Sequence, residues 1–319
     1  MLTIAFNWNT VKPVARSSMK KTVCMSRNDA AIRDRLSIVD AQVHAWAPDS
    51  PERPWPTASA SYLAGTSVLS SAVRPPFDAE QLVAEMDRVG VDHAILVPPV
   101  FAGDDNTPAL EVVHAHPERF SVMGRVPLAE PIGRERLATW NTEPALVGAR
   151  LTFFWREHRD ALDRGDAEWL WDAADHLSIP LAILSPGRLD VIDDDARRHP
   201  GLRIIVDHFG MDLESKDEAA LASIPQLLEL AVRPNVAVKA STLPSYVTDP
   251  YPFLSLREPI RRVFEAFGPE RLFWGSEMTR LPVPYEQAVS HFTETLDFLT
   301  REDVEWVMGR GIRKWLDLP

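Results

Sequence analysis

The chain has 319 residues, and its content of 45% hydrophobic, 25% charged and 8% aromatic residues is ordinary for a globular protein. This composition excludes collagen-like and disordered chains and leaves room for one large barrel domain or two smaller domains. Acidic residues outnumber basic ones by 46 to 34, and the resulting net charge of −12 disfavours nucleic acid and anionic membranes as partners. A small-molecule substrate is therefore the expected partner.

The first 28 residues differ from the rest because they contain five basic residues and no acidic one. This is typical of a transit peptide, although Met25 also offers a later start. We expect residues 1–33 to be an N-terminal extension, either disordered or upstream of the native start, and residues 34–319 to form one domain. The single cysteine, Cys24, permits no internal disulfide, and no run of 18 apolar residues occurs, so the sequence predicts a cytoplasmic location without a membrane span.

Eight short apolar runs alternate with stretches of helical periodicity. Eight such βα units predict a (β/α)₈ TIM barrel around a parallel sheet. An open, doubly wound sheet is the alternative, but it usually has a glycine-rich turn after its first strand, where this chain has Asp40-Ala41-Gln42. We also expect long βα loops over 45–78 and 241–256 and a C-terminal helix over 301–316. The predicted strands are 36–40, 93–97, 120–126, 147–152, 180–184, 202–206, 235–239 and 271–275.

Polar side chains gather at the ends of five predicted strands. Because a barrel places its chemistry at the carboxyl ends of its strands, we expect these side chains to share one cavity. Each residue alone could be a structural histidine or an ion-pair partner, but five at one rim predict a reaction site. In the first segment, Asp40, Gln42 and His44 alternate along the chain and are expected to point together into the barrel. The five residues are His44, Arg150, His208, Lys239 and Glu277.

Three segments at these positions resemble the amidohydrolase superfamily, in the branch that includes aminocarboxymuconate-semialdehyde decarboxylase and 2-pyrone-4,6-dicarboxylate hydrolase. They are Val-Asp-Ala-Gln-Val-His at 39–44, Asp-His-Phe-Gly at 207–210 and Arg-Leu-Phe-Trp-Gly-Ser-Glu at 271–277. The resemblance covers roughly residues 36–318 and implies a (β/α)₈ barrel. In the metal-dependent members it also implies a divalent ion held by an HxH pair, a fifth-strand histidine and an eighth-strand aspartate.

The chain departs from that ligand pattern at three positions. Gln42 stands where the first histidine of HxH is expected, Ser185 or Pro186 ends the fifth strand, and Glu277 replaces the aspartate. A zinc site normally needs at least three protein ligands. We therefore expect no metal or other cofactor, with one divalent ion, zinc or manganese, as the alternative.

Catalysis without a metal requires a base that activates water. Glu277 is the expected general base, because a carboxylate shielded in a barrel mouth should have a raised pKa. His208, Arg150 or Lys239 would stabilise negative charge on the attacked carbonyl. His44 and Gln42 would orient the substrate or the water.

Other residues are expected to bind the substrate. Arg150 and Lys239 alternatively clamp a substrate carboxylate. Aromatic residues of the two long loops predict a flat or ring-containing substrate. Near the C-terminus, three large residues are expected to pack on the barrel, with a homodimer as the alternative. The loop residues are Trp46, Trp55, Tyr246, Tyr251 and Phe253, and the C-terminal ones are Trp306, Met308 and Trp315.

The sequence thus predicts a hydrolase that opens a lactone or activated ester of a carboxylated or aromatic substrate without a metal. Two alternatives remain open. One is a metal-dependent, non-oxidative decarboxylase of an aromatic or muconate-type acid, which the resemblance also allows. The other is a barrel whose ancestral site has decayed and which now acts as a binding protein.

Overall fold

The computed structural model describes residues 36–44, 46–55 and 79–319. The extension predicted over 1–33 and most of the first long loop lie outside the described residues. No helix within the described ranges is long and apolar enough to cross a membrane.

Eight parallel strands form one sheet in which each strand pairs with the next along the chain. Beyond the last strand, the backbone N–H of Glu277 donates to the carbonyl of Gln42 at 2.7 Å, which brings the two edges of the sheet together. The predicted (β/α)₈ TIM barrel is confirmed. The strands are β1 (Val39–Val43), β2 (His93–Leu96), β3 (Phe120–Arg125), β4 (Leu146–Thr152), β5 (Leu181–Leu184), β6 (Ile204–Val206), β7 (Val236–Ser241) and β8 (Leu272–Gly275).

Helices connect the strands on the outside of the barrel. They are α1 (Ala79–Val89), α2 (Thr107–Ala115), α3 (Ile132–Ala138), α4 (Arg156–Asp163), α5 (Glu168–His176), α6 (Leu189–Arg198), α7 (Asp217–Leu221), α8 (Ile224–Glu229), α9 (Leu254–Phe267), α10 (Tyr285–Ser290), α11 (Arg301–Glu305) and α12 (Gly311–Trp315). A π-helical segment, Trp306–Arg310, joins α11 to α12, so the predicted C-terminal helix is continuous from Arg301 to Trp315.

The barrel interior changes from apolar to polar along its axis. At the amino-terminal end of the strands, small and branched side chains fill the centre together with Ile312 and Leu316 of the C-terminal helix. At the carboxyl end, buried arginine, lysine and serine side chains follow on β3, β4 and β7. The polar half is the end at which barrel enzymes place their sites. The apolar strand residues are Val39, Ala41, Ile95, Met123, Ala182, Ile205, Ala237 and Phe273.

The first strand is displaced from its predicted position, and its side chains do not alternate as expected. It runs from Val39 to Val43, and its register with β2 shifts between Asp40 and Val43. Val39 and Ala41 face the barrel interior, so Asp40 between them faces the helix layer. Its carboxylate accepts hydrogen bonds from the backbone of Ser276 at 2.8 Å and from the hydroxyl of Tyr285 at 2.7 Å, and the bulge after Asp40 brings Gln42 inside. The expectation that Asp40 points into the barrel beside Gln42 is wrong because of this bulge.

The C-terminal aromatic residues contact the barrel or their own helix. The ring of Trp315 lies 5.9 Å from that of Phe273 in β8, and Met308 is fully buried. Trp306 lies beneath the guanidinium of Arg310 at 4.2 Å. Packing of Met308 and Trp315 on the barrel agrees with the expectation, and the homodimer stays a prediction.

Candidate active site

A cavity lies at the carboxyl ends of the strands. Its lining separates into three kinds of surface. The ionisable groups of the floor are His44, His208 and Glu277. The cationic groups are Arg125, Arg150 and Arg280, and the aromatic wall is made by Trp46, Phe101 and Phe154. Four of the five predicted rim residues therefore meet in one cavity, and Lys239 does not line it.

Glu277 and His44 form a hydrogen-bonded pair on the floor. His44 donates from Nδ1 to the carbonyl of Val97 at 2.7 Å, and its Nε2 lies 2.8 Å from Oε1 of Glu277. Because a backbone carbonyl only accepts, the proton on Nδ1 is fixed by this contact. Nε2 and Oε1 are thus within hydrogen-bond distance, and the two side chains are placed to share one proton.

The pKa of Glu277 is shifted in the direction opposite to the expected one. Burial raises the pKa of this carboxyl, but the guanidinium of Arg280 and the contact with His44 hold it well below the usual value. The carboxylate therefore stays ionised, and the expectation of a raised pKa is wrong. The sequence predicted that this carboxylate lies in the barrel mouth, but it did not predict the positively charged groups around it, which determine the direction of the shift.

His208 is enclosed by protein and is neutral at pH 7. Burial lowers the pKa of its imidazole to about 4, although Glu277 and Asp207 favour the charged form. Its Nδ1 lies 2.8 Å from the hydroxyl of Ser241, and its Nε2 lies 3.7 Å from Oε2 of Glu277. The ring thus has a fixed orientation between β7 and the floor of the cavity.

Three neighbouring strands end in residues with left-handed backbone conformation. His208 after β6 has φ 52°, Thr242 after β7 has φ 62°, and Glu277 after β8 has φ 49°. Each such conformation costs a non-glycine residue on the order of 1 kcal/mol and tends to cluster at functional sites. The turns bring these side chains together: the hydroxyl of Thr242 donates to Oε2 of Glu277 in a short hydrogen bond.

Behind the cavity, Lys239 belongs to a buried charge network. Its ammonium lies 3.0 Å from Asp207 and donates to the amide oxygen of Gln42 at 3.0 Å, while Arg150 lies 2.8 Å from the other oxygen of Asp207. Burial raises the pKa of Asp207, but the two cations lower it to below its usual value. Neither Gln42 nor Lys239 lines the cavity, so their predicted contact with substrate stays a prediction.

The predicted aromatic residues separate into two groups. Trp46 lines the cavity, and its ring meets that of Phe101 edge to face at 5.7 Å. Tyr246 is buried outside the cavity lining, and Tyr251 packs edge to face on Phe253 at 5.6 Å. Trp46 is thus placed to contact a substrate, whereas the loop after β7 contributes its aromatic rings to the surrounding core.

Sequence reasoning missed two cationic residues and one hydroxyl of the site. Arg125 is the last residue of β3, so the strand-end rule that identified Arg150 would have found it. Arg280 follows Glu277 by one turn, and its guanidinium lies 3.7 Å from Oε2 of that residue. Thr242 had no signal in the sequence, since its contact depends on the left-handed turn after β7.

The family model described as amidohydrolase matches residues 39–318, which include all eight strands. The chain belongs to the amidohydrolase family. This amidohydrolase is 26% identical over 264 residues to L-fucono-1,5-lactonase from Burkholderia ambifaria, covering 80% of this chain and 82% of that protein.

Solved structures share its fold. An amidohydrolase from Burkholderia multivorans with bound HEPES superposes with a TM-score of 0.73 at 23% identity, over 89% of this chain and 100% of the other. A probable 2-pyrone-4,6-dicarboxylic acid hydrolase from Acinetobacter baumannii with citric acid bound has a TM-score of 0.67 at 16% identity, over 88% and 100% of the two chains.

The donor set of this amidohydrolase does not fit the metal site implied for metal-dependent members. The amide oxygen of Gln42 is held by Lys239, and Ser185 follows β5. Both oxygens of Glu277 accept hydrogen bonds, from His44 and Thr242. Within the described ranges, no three His, Cys, Asp or Glu side chains are grouped to hold an ion. A four-ligand zinc site would need donors that these positions do not supply.

Proposed function

We propose that this amidohydrolase opens a lactone, or a similarly activated ester, that carries a carboxylate. The observation that carries the proposal is the carboxyl group of Glu277, within hydrogen-bond distance of His44 on the floor of a cavity with three arginines in its lining. The chain is similar to L-fucono-1,5-lactonase, whose name says that it acts on a lactone. This similarity supports the same reaction class.

Water bound beside Glu277 would attack the lactone carbonyl. The water proton passes to the Glu277–His44 pair, because a carboxylate with a low pKa is a weak base alone but shares the proton with the imidazole. The pair then returns the proton to the ring oxygen as the C–O bond breaks, giving an alcohol and a carboxylic acid, which releases its proton to solvent. His208 and Arg280 lie beside Glu277 and would stabilise negative charge on the carbonyl oxygen.

The substrate carboxylate would bind on the side of Arg125 and Arg150. Both guanidinium groups are buried, and Arg125 is oriented by a hydrogen bond to Thr152 at 3.1 Å and by Asp104 at 3.4 Å. Planar guanidinium groups bind carboxylates through paired hydrogen bonds. The substrate ring would then lie against Trp46 and Phe101.

A substrate screen tests this proposal against the decarboxylase and the binding protein. Carboxylated lactones, uncharged lactones, phenolic esters and aromatic acids are incubated with the protein, while acid release and carbon dioxide are followed separately. We expect acid release from carboxylated lactones. Carbon dioxide from aromatic acids would favour the decarboxylase, and ligand binding without turnover would favour the decayed barrel.

A further inference from the structure

Two adjacent hydroxyl groups at the end of β7 contact the two titratable groups at the centre of the site. Ser241 is the last residue of β7 and reaches Nδ1 of His208, whereas Thr242 reaches Oε2 of Glu277. Both hydroxyl residues are buried. Their hydrogen atoms therefore decide how protons are arranged between the imidazole and the carboxylate.

The hydroxyl proton of Thr242 is already used in a hydrogen bond to Glu277. A carboxylate oxygen accepts hydrogen bonds and donates none, so the hydroxyl of Thr242 must donate to Glu277. Thr242 also lies 3.4 Å from Nδ1 of His208, but its single proton is not available to that nitrogen. Any hydrogen bond donated to Nδ1 must then come from Ser241.

Glu277 also determines which ring nitrogen of His208 carries the proton. Nε2 lies 3.7 Å from Oε2 of Glu277, so a proton on Nε2 faces negative charge, whereas a bare Nε2 would direct a lone pair at the carboxylate. The charged groups around the ring are Glu277, Asp207, Arg150 and Arg280. Arg150 is paired with Asp207, and Arg280 lies 3.7 Å from Glu277, so each cation has an acidic neighbour.

We propose that Ser241 is a positioning residue whose hydroxyl donates to Nδ1 of His208 and thereby holds the proton of that ring on Nε2, facing the cavity. The proposal rests on the proposed function for its consequence in catalysis. His208 is then a hydrogen-bond donor to the substrate carbonyl, and Glu277 with His44 is the acceptor of the water proton. In this arrangement, the residue that donates to the carbonyl oxygen is different from the pair that accepts the proton of the water.

The close approach of three strands permits this arrangement. Gly275 ends β8, and a Cβ atom there would lie 3.2 Å from Cβ of Ser241 and 3.1 Å from Cβ of Gln42. A side chain at this position would push β7 away from the floor of the cavity. Glycine keeps Ser241 close enough to reach the ring of His208.

The proton position is tested directly by ¹⁵N NMR of histidine-labelled protein, with the ring signals of His208 assigned by their loss in His208→Gln. In the unsubstituted protein we expect the proton on Nε2 and a bare Nδ1. Ser241→Ala should produce a mixture of both tautomers. Thr242→Val, an isosteric change at the adjacent residue, should leave the tautomer on Nε2 and serves as the matched control.

Kinetic measurements supply a second test, because loss of a serine with only a structural role would not lower kcat selectively. Ser241→Ala should lower kcat about tenfold with little change in KM, because one hydrogen bond that orients the imidazole contributes about a factor of ten in rate. A proton on Nδ1 in the unsubstituted protein would overturn the proposal, as would an unchanged tautomer in Ser241→Ala. Failure of the proposed function would instead appear as no lactone turnover with the proton still on Nε2.

Discussion

The ammonium of Lys239 lies 3.0 Å from the carboxylate of Asp207, and neither side chain is exposed to solvent. Arg150 contacts the other oxygen of the same carboxylate at 2.8 Å. One anion thus compensates two buried cations directly behind the candidate site. Since charge inside a protein is costly without a partner, this group should be sensitive to loss of its anion.

Replacing that anion should be strongly destabilising. We expect Asp207→Asn to lower the free energy of unfolding by about 3–5 kcal/mol, because it leaves buried charge uncompensated. Urea denaturation measures the change. Asp193→Asn is the matched control, since Asp193 pairs with Arg233 at a partly exposed position and should cost less than about 1 kcal/mol. Equal losses in the two variants would contradict the charge network.

Removing the carboxylate of Glu277 should stop turnover while the fold persists. Glu277→Gln keeps the size of the side chain but cannot accept the water proton, so kcat should fall by about 100-fold or more. Lactone hydrolysis followed by pH-stat, together with the melting temperature, measures both effects. Glu286→Gln makes the same change on the exposed face of α10 and should leave kcat unchanged. Full activity in Glu277→Gln would exclude this residue as the base.

Arg125→Gln should weaken the binding of carboxylated substrates and leave the binding of uncharged substrates unchanged. We expect KM for a carboxylated lactone to rise about tenfold, since a charge-assisted hydrogen bond contributes roughly 1.5 kcal/mol or more. An uncharged lactone should be hydrolysed with unchanged KM. Arg156→Gln, at a side chain that is 93% exposed, is the control for loss of one positive charge. A similar rise in KM for both lactones would assign Arg125 a structural role.

Asp195 on α6 should make stability depend on pH. Burial raises the pKa of this carboxyl from 3.8 to about 7 even though Arg198 contacts it. The folded state therefore retains a proton that the unfolded chain has lost. Ionisation of Asp195 therefore destabilises the folded state. This destabilisation is absent below the pKa of the unfolded chain, grows as pH rises and is complete above pH 7.

Asp195→Asn should remove this penalty. The stability of the variant relative to the unsubstituted protein should increase by about 1–3 kcal/mol between pH 4 and pH 8. Urea denaturation at both pH values gives the difference. Asp194→Asn, on an exposed neighbour in the same helix, should show no such trend. A pH-independent difference for Asp195→Asn would refute the shifted ionisation.

Removal of metal should leave the reaction intact. Dialysis against a chelator is expected to preserve kcat, because the positions of Gln42 and Ser185 offer no histidine ligand. Elemental analysis of the purified protein accompanies the assay. Loss of activity with the chelator and recovery with zinc or manganese would support the metal-dependent alternative.

The strand order and the rim residues were predictable because both follow from local pattern. Apolar runs separated by helical stretches fix eight βα units, and the strand-end rule then identifies Arg150, His208 and Glu277. Arg125 obeys the same rule, so its omission was avoidable. Simple alternation put Asp40 and Gln42 on one face of β1, whereas the bulge separates them and brings only Gln42 inside the barrel.

Other features depend on tertiary contacts that local pattern does not encode. The bulge in β1 turns Gln42 towards Lys239 of β7, a residue that is distant in sequence. The low pKa of Glu277 depends on Arg280 and on the contact with His44 from the other edge of the sheet. Thr242 reaches Glu277 through a left-handed turn, a conformation that β-branched residues rarely adopt, so its residue type did not predict the turn.

The C-terminal helix has a consequence for how the chain is made. Ile312 and Leu316 pack among the apolar residues inside the barrel, and the backbone at Gly309 lies so close to Ser37 that an added Cβ would be 2.0 Å from its carbonyl oxygen. The residues that close the amino-terminal end of the barrel therefore follow all eight strands along the chain. Val39 and Ala41 are synthesised long before Ile312, so this end of the barrel stays uncovered until Ile312 has been made.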